Sequence, residues 1–149
     1  MIGADSLLPD HWFEILGRLG LAIAAGASIG WERQSERKPA GLRTHMLVSL
    51  GSAMFILSSL HVGTAYPSSD TASRVIQGVA SGIGFLGAGE IVSRSSGSST
   101  EIKVQGLTSA AAIWVSASLG VASACGLWLL SIVGAVSALF ILWGVKKLE

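Results

Sequence analysis

The sequence has little charge, one cysteine and almost no net charge of either sign. Asp, Glu, Lys and Arg make up 13% of its 149 residues, against about a quarter in soluble domains. That is too few ionic groups to coat a water-exposed globule. Half of the chain is hydrophobic, which excludes disorder, because disordered chains combine low hydrophobicity with high net charge. The formal net charge is +1, so no basic field invites nucleic acid, and no nucleic-acid partner is expected. Cys125 is the single cysteine, which excludes an internal disulfide and an all-cysteine metal site. The remaining class is a small integral membrane protein, with the lipid bilayer as its first partner.

Stretches without Asp, Glu, Lys or Arg then locate the spans. Such stretches run from Thr44 to Ser69, from Val75 to Gly89 and from Val104 to Val145. The last has 42 residues and would reach ~63 Å as one helix, about twice a bilayer core of ~30 Å. It therefore predicts two helices, with a break between Val121 and Gly126, where small residues cluster. A further span begins near Phe13, with Glu14 and Arg18 in its opening turns. The expected fold is all-α, a membrane bundle of five transmembrane helices in one domain, at about 13–31, 44–62, 74–93, 106–122 and 126–145. The first span is not a signal peptide, because the residues before it carry Asp5 and Asp10 and no basic residue.

Lys and Arg in short loops set orientation. Arg33, Arg37, Lys38, Arg43, Arg94, Lys103, Lys146 and Lys147 all fall on one side of a five-span chain. Arg18 and Arg74 are left at the ends of spans on the other. The N-terminus is expected outside and the C-terminus in the cytoplasm. Trp12, Trp31, Trp128 and Trp143 lie near predicted interfaces, as an aromatic belt would; Trp114 falls mid-span.

Rows of small residues at spacing four mark faces where helices can approach closely in lipid. Ala22, Gly26 and Gly30 lie on the first span. Gly78 and Gly82, then Gly84 and Ala88, lie on the third, with Gly87 beside them. Thr108, Ala112, Ser116, Gly120 and Ala124 lie on the fourth. Such rows serve packing within one chain or contact between subunits of a homo-oligomer. The run Gly82-Ile83-Gly84-Phe85-Leu86-Gly87 matches a dinucleotide fingerprint in letters only. It lies inside an apolar span, with no strand before it.

Three acid–Arg pairs stand at spacing four: Glu14/Arg18, Asp70/Arg74 and Glu90/Arg94. On a helix each pair shares a face, with the acid in the favoured first position. Neutralisation at span ends accounts for them structurally, and Asp70 is also placed as an N-cap. Arg74, Gln77 and Ser81 form a polar line entering from the outer side, and polar groups at membrane depth are candidate functional residues. Pro39 is expected to stop any extension of the first span, and Gly41 to permit a reversal. Glu32, Arg33, Arg43 and His45 would then meet at the cytoplasmic surface as a structural clamp, a docking site or part of an ion path.

These segments resemble the MgtC/SapB family. The resemblance rests on Gly30-Trp31-Glu32-Arg33-Gln34, on Lys38-Pro39-Ala40-Gly41-Leu42-Arg43-Thr44-His45, on Ser81 through Gly89, and on Gly106-Leu107-Thr108 through Trp114. It covers residues 15 to 125 or so, in order. It implies a bacterial inner-membrane protein of five spans, linked to growth at low magnesium and survival in host cells. Its virulence-linked members look like regulators of the membrane ATP synthase rather than magnesium pumps. The resemblance carries over Glu32, Arg33, Arg43, His45, Arg74, Gln77, Thr108 and Trp114. Longer members add a soluble C-terminal domain, so this chain looks like the short, transmembrane-only type. Glu90 stands where the family pattern has an apolar residue, and Asp70 is four rather than three residues before Arg74.

No nucleophile elbow, phosphate loop or metal-binding helix motif is present, so no enzymatic activity and no cofactor are expected. His11, His45 and His61 are scattered along the chain. Three functions remain: a regulator acting through contacts with another membrane complex such as the ATP synthase, an oligomeric transporter or channel for magnesium, protons or a small solute, or a purely structural assembly or stability factor.

Overall fold

Pro9 opens the first helix, where its missing N–H and fixed φ do no harm. In the computed structural model, which describes residues 9–65, 70–92 and 105–145, this helix is α1 (Pro9–Ser35). It is followed by α2 (Leu42–Ala65), α3 (Thr71–Val92), α4 (Leu107–Ala124) and α5 (Trp128–Gly144). The fold is all-α, with no strand among the described residues. Each helix matches an expected span to within a few residues. Arg94, Lys103, Lys146 and Lys147, expected in the basic loops and tail, lie outside the described residues.

α1 ends before Pro39, as expected, but the reversal is not made at Gly41. The left-handed residue is Arg37, with φ 54°. The Lys38 N–H donates to the Arg33 carbonyl at 2.9 Å and the Arg37 N–H to Gln34 at 3.0 Å, the paired bonds of a Schellman cap. Pro39 disfavours helical geometry at Lys38, so the cap closes one residue earlier. Gly41 instead gives room, since a Cβ there would lie 3.3 Å from the Gln34 side-chain oxygen. That oxygen accepts the Leu42 N–H at 3.3 Å. The expected break after α4 falls at Cys125–Leu127. Gly126 is left-handed, with φ 75°, and the Leu127 N–H reaches back to the Ala122 carbonyl at 2.9 Å.

α4 is the central element and touches the other four helices. α1 runs antiparallel to both α2 and α4. Its end packs on the start of α2 through Gly30 and Leu42, and Arg18 near its start donates to the Ala124 carbonyl at 2.6 Å. Arg18 also pairs with Glu14, so it ties the start of α1 to the α4–α5 turn. Charged hydrogen bonds contribute about 1.5–3 kcal/mol. Arg18→Met, which keeps the aliphatic stem, is expected to cost about 1–2 kcal/mol in detergent unfolding; no loss would show that the tie is idle. In the same turn burial pushes the Cys125 thiol above its ordinary value, against the opposing pull of Arg18. The pH–rate profile for its alkylation is expected to have a midpoint above the ordinary ~8.5; one at or below it would contradict this environment.

The helix contacts run through the small residues. A Cβ added at Gly26 would lie 2.5 Å from the His45 carbonyl oxygen and 2.9 Å from the Ser49 Cβ. One at Gly30 would lie 2.7 Å from the Leu42 Cα, and one at Gly120 would run into the Ser49 carbonyl. Ala112 and Ser116 are buried on the same helix as Gly120. The rows on α1 and α4 thus pack within the chain. The row on α3 differs: Cβ atoms at Gly78, Gly82 and Gly84 would meet nothing within 4 Å among the described residues, and Gly87 alone touches α4, through Ala110.

The radial distribution is inverted relative to a water-soluble domain. The interior is alanine, a few isoleucines and serine, with Ser49, Ser116, Ser123 and Ser131 fully buried. The exterior carries Phe85 at 82% exposure, Phe13 at 79% and Leu129 at 75%. Most of the interior hydroxyls have partners: Ser49 donates to the Ala22 carbonyl at 2.7 Å, Ser123 to Leu119 at 2.8 Å, and Ser123 and Ser131 meet at 2.9 Å. The stretches Trp12–Ser35 and Leu107–Ala124 are long and apolar enough to cross a membrane, and α5 is a shorter apolar helix.

Candidate functional site

The last turn of α1 presents Glu32 and Arg33 to the bundle. Arg33 is 3% exposed and is held by the Glu32 carboxylate in a two-pronged contact. Its Nη2 donates to Oε1 at 2.7 Å and its Nε to Oε2. A planar guanidinium matched to a planar carboxylate is the strongest form of ion pair. Burial makes the match necessary, because an uncompensated guanidinium in this setting is very costly.

His45 lies in the first turn of α2, where the absence of side chains at Gly26 and Gly30 lets α1 come down onto it. Its ring is fully buried. A carbonyl can only accept, so the Nδ1 contact with the Gly41 carbonyl at 2.9 Å places a proton on Nδ1. Nε2 is buried with no hydrogen-bond partner among the described residues, as is the Ser116 hydroxyl on α4. Ser49 faces Gly120. Because α2 and α4 run in the same direction, His45 and Ser116 each lie one turn from that crossing, towards the α1–α2 turn. Glu32, Arg33 and Glu90 are all within electrostatic reach of the ring. Glu90 is half-buried near the end of α3, and its carbonyl lies against Gly106, just before α4.

The candidate residues therefore divide. Glu32 and Arg33 at the end of α1, and Glu90 near the end of α3, lie within electrostatic reach of His45 at the start of α2. Arg43 does not join them. It is exposed, because two residues along a helix turn it by about 200° from His45. Thr108 and Trp114 on α4 are exposed as well. Asp70, Arg74 and Gln77 are exposed at and after the start of α3, with Ser81 following on the same strip. That strip faces outward rather than into the bundle. Ser49 was not anticipated, although it follows His45 by one turn and its hydroxyl bonds α1 to α2. Among the described residues, no three of His, Cys, Asp and Glu stand together to hold a metal ion. Chemically, the cluster offers a fixed ion pair beside a buried imidazole whose Nε2 has no partner among the described residues.

A family model described as the MgtC family matches residues 19–149. The chain is 42% identical over 142 residues to protein SrpB of Synechococcus elongatus, covering 93% of this chain and 78% of SrpB. It is 41% identical over 133 residues to YhiD of Escherichia coli K12, whose name proposes a magnesium transporter; 87% of this chain and 59% of YhiD are covered. Protein MgtC of Salmonella typhimurium is 44% identical over 109 residues, 73% of this chain and 42% of its own length. The chain thus spans about six-tenths of YhiD and less than half of MgtC. No solved structure matches it.

Proposed function

The chain belongs to the MgtC family, and on that premise we propose that it is a non-enzymatic protein of the bacterial inner membrane that acts through helix contacts with another membrane complex in adaptation to low magnesium. It crosses the membrane five times, N-terminus out, with the α1–α2 turn and the C-terminal end in the cytoplasm. The observation that carries this reading is the inverted distribution of side chains. Phe13, Phe85 and Leu129 face outward while serine hydroxyls are enclosed. In water each exposed large apolar side chain forgoes about 1.5–3 kcal/mol of burial, whereas in lipid that penalty is absent.

The choice of contact over conduction rests on how the polar groups are placed. The enclosed hydroxyls of Ser49 and Ser123 are spent on helix carbonyls, and the Arg74, Gln77 and Ser81 strip points away from the interior. The family resemblance makes the membrane ATP synthase the first complex to assay. Crosslinking in native membranes followed by purification is expected to recover a second membrane protein. Recovery of the chain alone, with ATP synthase activity unchanged on deletion, would overturn the regulatory reading. The YhiD name and the buried, unpartnered Nε2 of His45 favour a second reading, ion transport by an oligomer. Flux of magnesium or protons into proteoliposomes above that of empty vesicles would support it.

A further inference from the structure

α3 carries four glycines, Gly78, Gly82, Gly84 and Gly89, whose added Cβ atoms would meet nothing within 4 Å among the described residues. Gly78 and Gly82 face open space and form, with Gly51 of α2, the glycine walls of a groove of ≈580 Å³ between α2 and α3. Beside the glycines on α3 run Asp70, Arg74, Gln77 and Ser81, all exposed, and then Phe85, the most exposed large apolar side chain among the described residues. On the membrane-spanning reading, from which this inference proceeds, the strip cannot face hydrocarbon at little cost. An arginine near a helix end can snorkel to the headgroups, but Gln77 and Ser81 lie one and two turns deeper. An amide in hydrocarbon needs a hydrogen-bonding partner, and a lipid tail offers none.

We infer that this face of α3 is a homodimer interface, in which α3 of one copy crosses α3 of a second at Gly78 and Gly82. The second copy is the fitting occupant because the strip complements itself. A two-fold axis normal to the membrane places like ends of α3 side by side. The acid at 70 and the base at 74 are one turn apart, so the rotation sets each Asp70 near the other chain's Arg74 and brings the two Gln77 amides, each donor and acceptor, into reach. The same rotation lays each Phe85 across the glycine ridge into the other copy's groove. Knob and hole on one surface is the arrangement an isologous contact requires. Bare glycine backbones at spacing four let the helices approach closely.

The test is disulfide trapping in native membranes with the full chain in a Cys125→Ser background. Gly78→Cys is expected to give a covalent dimer on mild oxidation, and Ile132→Cys on the outward face of α5 is expected not to. Dilution of labelled protein in liposomes is expected to show dimerisation weakened by on the order of tenfold or more in Gly82→Ile. A Cβ at position 82 meets nothing within 4 Å among the described residues and the groove beside it leaves room for the rest of the side chain, so the monomer is expected to melt as the parent does. Arg74→Asp should weaken the dimer, and the exchange Asp70→Arg with Arg74→Asp should restore it. Wild-type dimerisation in Gly82→Ile and Arg74→Asp, a monomeric parent, or trapping at position 78 of a different protein would each overturn the homodimer. None of these would remove the chain from the membrane. Release of the parent into the soluble fraction without detergent would instead defeat the membrane reading itself.

Discussion

Gly120→Val is expected to be the most destabilising single substitution proposed for this protein, costing more than about 3 kcal/mol. A Cβ at this position runs into the Ser49 carbonyl oxygen, and it would stand 2.8 Å from the carbonyl carbon and 2.9 Å from the Cα. All three are backbone atoms, which cannot rotate away as a flexible side chain can. Relief requires α2 and α4 to separate. That would break the contact at the centre of the bundle and strain the Ser49 bond to Ala22 on α1. Overpacking of cores costs about 1–3 kcal/mol when side chains can adjust. Here they cannot, so we expect more than about 3 kcal/mol against a total stability of about 5–15 kcal/mol. Gly20→Ala, where a Cβ meets nothing within 4 Å, is the matched control and should change stability by less than about 0.5 kcal/mol. If Gly120→Val melted in detergent with the parent, α2 and α4 would not cross where the structure puts them.

Glu32→Gln is expected to be nearly as damaging, for an electrostatic reason. Arg33 is buried and both of its contacts are to the Glu32 carboxylate. Replacing that carboxylate by an amide keeps the shape and removes the countercharge. Breaking one partner of a buried pair typically costs 3–5 kcal/mol, whereas replacing both is close to neutral. The double variant Glu32→Gln with Arg33→Gln should therefore recover more than half of what Glu32→Gln loses. A single-variant cost below about 1 kcal/mol would place the pair in solvent.

Much of this architecture is legible in the sequence, because helices in lipid announce themselves by length. The runs free of charge gave α2, α3 and the α4–α5 pair, and Pro39 and Gly126 marked the turns. The glycines at 26, 30 and 120 could be read as contact points because only close backbones need them. Which face of each helix turns inward was not legible. A helix apolar all round has no hydrophilic side to identify its exterior, so Gly78 and Gly82 looked the same as Gly26 and Gly30. Arg43 was grouped with His45 by nearness in the chain, and helical rotation separates them. Arg37 as the capping residue was hidden by Gly41, the more obvious candidate. The orphan Nε2 of His45 and hydroxyl of Ser116 depend on which helices adjoin, which no spacing rule contains.

If the chain crosses the bilayer as proposed, Lys38 in the α1–α2 turn and Leu127 in the α4–α5 turn lie on opposite faces of it. Single cysteines at Lys38 and Leu127, placed in a Cys125→Ser background and challenged with a membrane-impermeant maleimide on intact and broken spheroplasts, test this most directly. We predict that Leu127→Cys reacts in intact spheroplasts and Lys38→Cys only after they are broken. Reaction of both from the same side would contradict the account.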